Sequence, residues 1–296
     1  MEPKMNIGYI LALAASLFFS FYIIPRKFAK NSPLIYTFFV GIGFTVFSAA
    51  ALGTYGNFAA LLNPYLIGAG IVGILWMIAQ VLYTSAIDKL GISIANQWRT
   101  FQGPIGAITA LLILGEFVNV NIWMTGAGAV AIFIAAILLT IKKSGERLIS
   151  KNGIVLACVA AVLFGGGSTI QKYVTMNGAD LLAQTFCFAA FVMISGFISI
   201  AASGKYRELK ASRLRDNLLG VAGGGLYFAA SWLQVASYQR APASIAFTMI
   251  QISAVWTVLI GVLYFKEINL RTHWLRICIG MLFAIISVIL LMFAQG

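Results

Sequence analysis

Residues 66–87 read LIGAGIVGILWMIAQVLYTSAI, twenty-two positions without an acidic or basic side chain. At 1.5 Å per residue, a helix of that length crosses the ~30 Å hydrocarbon core of a bilayer. Two further stretches, Ile122–Ile141 and Leu181–Ala202, are nearly as long and equally free of charge. The chain of 296 residues is 61% hydrophobic and 9% charged, whereas soluble domains carry roughly 25% charged residues. So few charges could not cover a water-facing surface. The composition places the chain in a membrane.

Outward from residues 66–87, apolar stretches between polar breaks predict ten helices. They are Ile7–Ile24, Leu34–Leu52, Tyr65–Ile87, Ile92–Leu114, Ile122–Ile141, Gly153–Val174, Leu181–Ala202, Leu218–Tyr238, Ser244–Phe265 and His273–Phe293. A barrel strand needs only about ten residues in strict alternation, and these segments are too long and too uniformly apolar. The expected fold class is therefore all-α, a polytopic membrane protein with ten transmembrane helices. Ala12-Leu13-Ala14 resembles a signal-peptide cleavage site, but the likeness of the first helix to the sixth argues that it stays.

That likeness is one part of an internal repeat. Gly8-Tyr9-Ile10-Leu11-Ala12 resembles Gly153-Ile154-Val155-Leu156-Ala157, and Lys27 falls opposite Lys172. Leu34, Thr37 and Phe38 match Leu182, Thr185 and Phe186. A constant spacing then places Gly73 on Gly224, Ala79 on Ala230, Ser93-Ile94-Ala95 on Ser244-Ile245-Ala246, Glu116 on Glu267 and Trp123 on Trp274. The expected organisation is two five-helix repeats, residues 1–144 and 145–296. Five is odd, so the second repeat enters the membrane upside down. Inverted repeats place a solute site near the midplane, between halves that rock about it.

Net charge is +12, yet the basic residues form no stripe that would suit nucleic acid. They sit in short loops. Arg26, Lys27, Lys30, Lys89, Lys142, Lys143, Arg147, Lys151, Lys205, Arg207, Lys210, Arg213, Arg215, Lys266 and Arg271 follow odd-numbered helices, against Lys4, Lys172 and Arg240 on the other side. The positive-inside rule makes the first set cytoplasmic and both termini extracytoplasmic, in a multi-pass plasma (inner) membrane protein. Cys158, Cys187 and Cys278 lie in apolar stretches, without a CxxC or a neighbouring His. They read as small buried residues.

Polar side chains deep in membrane helices face protein or a water-filled cavity. Trp76, Gln80 and Tyr83 share one helix face, and Tyr227, Ser231 and Gln234 hold the equivalent positions in the other half. Ser93, Gln97 and Thr100 have the counterparts Ser244, Thr248 and Gln251. Amides donate and accept, and aromatic faces can stack on a sugar ring, so the set suits a neutral polyhydroxylated or a zwitterionic ligand. For any one of these residues, plain interhelical bonding is an equal reading.

Arg99 is the only charge deep within a helix. It could bind an anionic group, pair with an acid across the bundle, or snorkel toward water, with Asn96, Gln102 and Gly103 nearby to solvate it. Glu116 and Glu267, ending helices 4 and 9, could carry a coupling proton; the alternative is a pair of loop acids at the interface. Asp88 stands beside Lys89, and His273 opens a helix. Gly165-Gly166-Gly167, Gly223-Gly224-Gly225 and Gly68-Ala69-Gly70 lack the Lys-Ser/Thr of a phosphate loop. No Ser/His/Asp, Cys/His or metal-ligand set is present, which argues against an enzyme and implies no cofactor and no metal.

Ten helices in two halves and the Gly115-Glu116 ending helix 4 resemble the drug/metabolite transporter superfamily of EamA-like proteins. Tyr22-Ile23-Ile24-Pro25-Arg26-Lys27-Phe28 and Gly73-Ile74-Leu75-Trp76-Met77-Ile78-Ala79-Gln80, followed by Leu90-Gly91-Ile92-Ser93, resemble its glucose/ribose porter and rhamnose–proton symporter group. The resemblance implies secondary transport of a sugar or polyol, coupled to protons. Gln97-Trp98-Arg99 has no evident counterpart there. The expected substrate-binding set is Trp76, Gln80, Tyr83, Gln97, Arg99, Thr100, Tyr227, Ser231, Gln234, Thr248 and Gln251. Expected partners are a small-molecule substrate and the lipid bilayer, with no nucleic acid and a monomer or homodimer as the working unit. The rival readings are an exporter of amino acids or other metabolites, with Arg99 on a carboxylate, and a non-transporting receptor or scaffold.

Overall fold

The structure, a computed structural model, describes residues 7–116, 120–139, 150–264 and 270–294. Among the described residues are thirteen α-helices, two 3-10 helices and no strand. In chain order the helices are α1 Ile7–Phe21, α2 Pro33–Tyr55, α3 Leu66–Leu90, α4 Ile92–Arg99, α5 Gln102–Ile113, α6 Ile122–Leu139, α7 Lys151–Met176, α8 Leu181–Ala202, α9 Tyr206–Ala211, α10 Leu214–Tyr238, α11 Ala243–Ile250, α12 Ser253–Leu263 and α13 Leu270–Met292. Among the described residues, six spans are long and apolar enough to cross a membrane: α1 with the 3-10 turn after it, α2, α3, α7, α8 and α10.

Local chemistry sets the boundaries. Pro33 opens α2, where its missing N–H costs nothing. Asp180 caps α8, its carboxylate accepting from the amides of Leu182 and Ala183 at 2.9 Å each. Gly91, at φ +80°, turns the chain out of α3 in a conformation that other residues rarely take.

Helices 4 and 9, expected to be continuous, are each broken. Pro104 cannot donate to the carbonyl of Thr100, which instead accepts from the amide of Gly103 at 3.0 Å. The chain tightens into 3-10 bonds over residues 100–101 and re-enters as α5. The second break has no proline. The side-chain amide of Gln251 takes the carbonyl of Phe247 at 3.0 Å, so the Gln251 backbone amide turns to Thr248 instead. The register that sets Ser93 on Ser244 also sets α4 on α11, each eight residues long, and break on break.

Helices pack mostly across the sequence midpoint. α3 lies on α7 and α8, α10 on α1 and α2, and α6 on α13. Two glycines at matching positions of the two halves allow close approaches between backbones. A Cβ on Gly224 would sit 2.2 Å from the carbonyl oxygen of Val40, and one on Gly73 2.6 Å from that of Phe188. The largest core cluster gathers buried side chains such as Tyr22, Phe44, Met77, Phe188 and Met249 where these helices cross. A smaller one, with Ile132, Ala135, Ile277 and Ala284, seals α6 against α13.

Candidate functional site

At the level of the two breaks lies a narrow cavity of about 40 Å³. Phe19, Trp76, Phe164, Phe188, Tyr227 and Phe247 give it aromatic walls, while Arg99, Gln102, Ser168, Gln171, Gln234 and Ser253 supply polar groups. Gln102 and Ser253 are the first residues of α5 and α12, so both broken helices bring a polar side chain to the same space. A few polar groups among aromatic walls is the usual composition of a small-molecule site. A wider hollow of about 490 Å³ between α5 and α6 is lined by Pro104, Ile108, Leu112, Phe133 and other apolar side chains. Its one hydroxyl, on Thr125, is bonded to the carbonyl of Asn121 at 3.0 Å. That chemistry suits lipid, not a hydrophilic solute.

The aromatic wall is tightly knit. The Trp76 and Tyr227 ring centroids are 4.5 Å apart, and Tyr227 meets Phe44 at 5.0 Å and Tyr22 at 5.1 Å. Such contacts fix the rings in place.

Three hydrogen-bonded groups lie at or behind the wall. The Tyr22 hydroxyl donates to Gln80 Oε1 at 3.1 Å and accepts from Arg99 Nη1 at 3.2 Å. Gln102 Nε2 donates to Gln251 Oε1 at 2.9 Å, joining the two broken helices. Gln234 Nε2 donates to Gln171 Oε1 at 3.1 Å and to the Tyr238 hydroxyl at 2.6 Å. Among the buried side-chain atoms left without a protein partner are Gln80 Nε2, Ser231 Oγ and Arg99 Nε.

Arg99 does not snorkel: it is 6% exposed. Its guanidinium carbon lies 4.6 Å from the ring centre of Tyr83 and 5.7 Å from that of Phe164. Among the described residues no carboxylate pairs with it, and no acid lines the cavity.

Of the expected set, the structure brings Trp76, Arg99, Tyr227 and Gln234 to the wall. Gln80, Tyr83, Ser231 and Gln251 are buried; all but Ser231 make the contacts given above with residues of the wall or its backing. Thr100 and Thr248 give their hydroxyls to the carbonyls of Asn96 and Ser244 in their own helices. The side chain of Gln97 and the whole of Glu267 lie outside the described residues. The sequence reading missed Gln171, Ser168 and Tyr22. A glutamine within an apolar helix was the available signal for Gln171, masked by its neighbour Lys172.

Three charged residues read as loop groups have specific partners. Asp88 accepts both its contacts from Arg26 Nη2, at 2.7 Å each, and Arg26 is buried. Lys172 donates to the carbonyls of Tyr238 and Ala241 at the end of α10. Glu116 is buried, accepting from the amides of Ala243 and Ser244 at 2.7 and 2.9 Å, and so caps α11.

Two broken helices thus meet at one cavity, and known structures share the fold. One solved structure, described as "Crystal structure of protein", aligns with TM-score 0.73 over 96% of each chain at 14% identity, a likeness of fold alone. No curated protein matches the sequence. Residues 10–294 match the family model described as "Sugar transport protein", and the chain belongs to that family. It is a family of transporters, and with its long apolar helices the chain is a multi-pass membrane protein.

Proposed function

We propose that the protein is a secondary transporter that moves a sugar or related polyol by alternating access. The observation that carries this reading is the cavity at the two helix breaks, where Trp76 and Tyr227 offer ring faces and Gln102, Gln171 and Gln234 offer amides. Stacking plus paired donors and acceptors is what a hydroxylated ring requires.

On this proposal ten segments cross the bilayer as two inverted five-helix repeats, residues 1–144 and 145–296, within the drug/metabolite transporter superfamily. Three features support it: the matching breaks, the glycine pair Gly73 and Gly224, and the exchange-symmetric packing of α3 on α7 and α10 on α1. α5 packs along α11 more closely than α4 along α12, which supports a state closed on the side of Glu116. By the positive-inside rule that side is extracytoplasmic, as are both termini.

Proton coupling belongs to the same proposal. A proton on Glu116 would make its carboxyl a weaker acceptor from Ala243 and Ser244, and so would loosen the contact between α5 and α11. Arg99 supports a second reading, an exporter of carboxylate-bearing metabolites.

Uptake of labelled glucose, ribose, sorbitol and amino acids into proteoliposomes, with and without an inward proton gradient, tests the proposal. Saturable sugar or polyol uptake driven by the gradient is the expected result. Amino-acid flux without sugar flux would replace it with the second reading.

A further inference from the structure

We infer that the preferred solute is a hydroxylated monocarboxylate, a sugar acid in place of a neutral sugar, with its carboxylate held by Arg99. The inference rests on the sugar reading above and narrows it.

The argument starts from charge. Arg99 is 6% exposed and lines the cavity, so its charge is shielded from bulk water. A guanidinium in that position must be compensated, because leaving it unpaired costs several kcal/mol. What the protein supplies is partial. Tyr83 and Phe164 offer ring faces, and the Tyr22 hydroxyl accepts from Nη1 at 3.2 Å. Nε has no partner. Among the described residues no carboxylate completes the set, and the lining contains no Asp or Glu.

The geometry fits a carboxylate in particular. With the Tyr83 and Phe164 rings beside it, the guanidinium offers a ligand the N–H groups along its edge. A planar two-oxygen acceptor matches that edge. One positive charge also balances one negative charge, so a phosphate dianion would leave a second charge uncompensated. The amide atoms not used in the Gln102–Gln251 and Gln234–Gln171 pairs, Gln102 Oε1, Gln171 Nε2 and Gln234 Oε1, remain for hydroxyls, and Trp76 for the apolar face of the carbon chain. A short carboxylate without hydroxyls would gain nothing from them.

The test is equilibrium binding to the purified full-length chain in detergent, with gluconate, glucuronate, glucose, sorbitol and propanoate as probes. The expected result is that gluconate or glucuronate binds about tenfold or more tightly than glucose and sorbitol, the margin of a charge-assisted contact. Arg99→Gln should bring the acids down to the level of glucose. Arg99→Lys, which keeps the charge but not the fork, should recover only part of the margin. Glucose binding as tightly as gluconate would overturn the inference and leave the sugar reading standing. Propanoate binding as tightly as gluconate, or no probe binding at all, would overturn both. The wild-type panel decides these outcomes even if Arg99→Gln fails to fold.

Discussion

Glu116, at the end of α5, accepts the backbone amide of Ala243, the first residue of α11, at 2.7 Å. Its other oxygen takes the next amide, that of Ser244. A carboxylate from one side of the cavity thus caps a helix on the other. We expect Glu116→Gln to weaken this contact by about 1 kcal/mol, the usual worth of an N-cap. In proteoliposomes the variant should keep solute exchange but lose gradient-driven accumulation. Undiminished accumulation would detach Glu116 from coupling.

Arg26 and Asp88 are joined by two contacts of 2.7 Å, and Arg26 lies over the ring of Tyr36. Asp88 keeps 42% of its side chain exposed, so the pair is worth less than a fully buried one. Asp88→Asn should cost about 1–3 kcal/mol, because it leaves a buried guanidinium short of an acceptor. Thermal unfolding in detergent would read this as a lowered midpoint. Arg26→Met added to Asp88→Asn should restore part of the loss.

Gly224→Ala would push a Cβ to 2.2 Å from the Val40 carbonyl oxygen, a backbone atom that cannot step aside. A destabilisation of about 1–3 kcal/mol follows from overpacking. Gly53, with nothing within 4 Å of an added Cβ, is the control. Gly53→Ala, in the last turn of α2, should be neutral or stabilising by about 0.5–1 kcal/mol.

Pro104→Ala returns an N–H to the position facing the Thr100 carbonyl, so α4 and α5 can join into one helix. The variant should unfold at a higher temperature and transport more slowly. Uptake rate and melting midpoint measured on one preparation would show whether the two move in opposite directions.

Trp76→Ala removes the ring that packs on Tyr227 in the cavity wall. It should raise the apparent KM for solute about tenfold through lost stacking, with Trp76→Phe intermediate. An unchanged KM would mean that solute does not touch this wall.

The helix spans were legible because twenty apolar residues admit few structures in a bilayer. The spacing of Trp76, Gln80 and Tyr83 identified an inward face, but periodicity reports direction and not depth. Only Trp76 of the three reaches the cavity wall. The break at residues 100–101 was within reach, since Pro104 stands in view. The break at Gln251 and Ile252 was not, because it arises from a side chain taking the carbonyl that its own backbone would have used. Asp88 was read with its neighbour Lys89, although its partner Arg26 lies far back in the chain. Proximity in sequence is a poor guide to ion pairs where the helices fold back on one another.

The amide bridge between Gln102 and Gln251 fastens two independent kinks to each other across 2.9 Å. A molecule entering between them must either leave the bridge intact, and so stay on one side, or replace both of its ends with a donor and an acceptor of its own. Ligands lacking that pair would strand two amides away from water, a penalty of about 1–3 kcal/mol for each group. On the proposed transport reading, the clasp would be a toll on admission, waived only for cargo that can take its place.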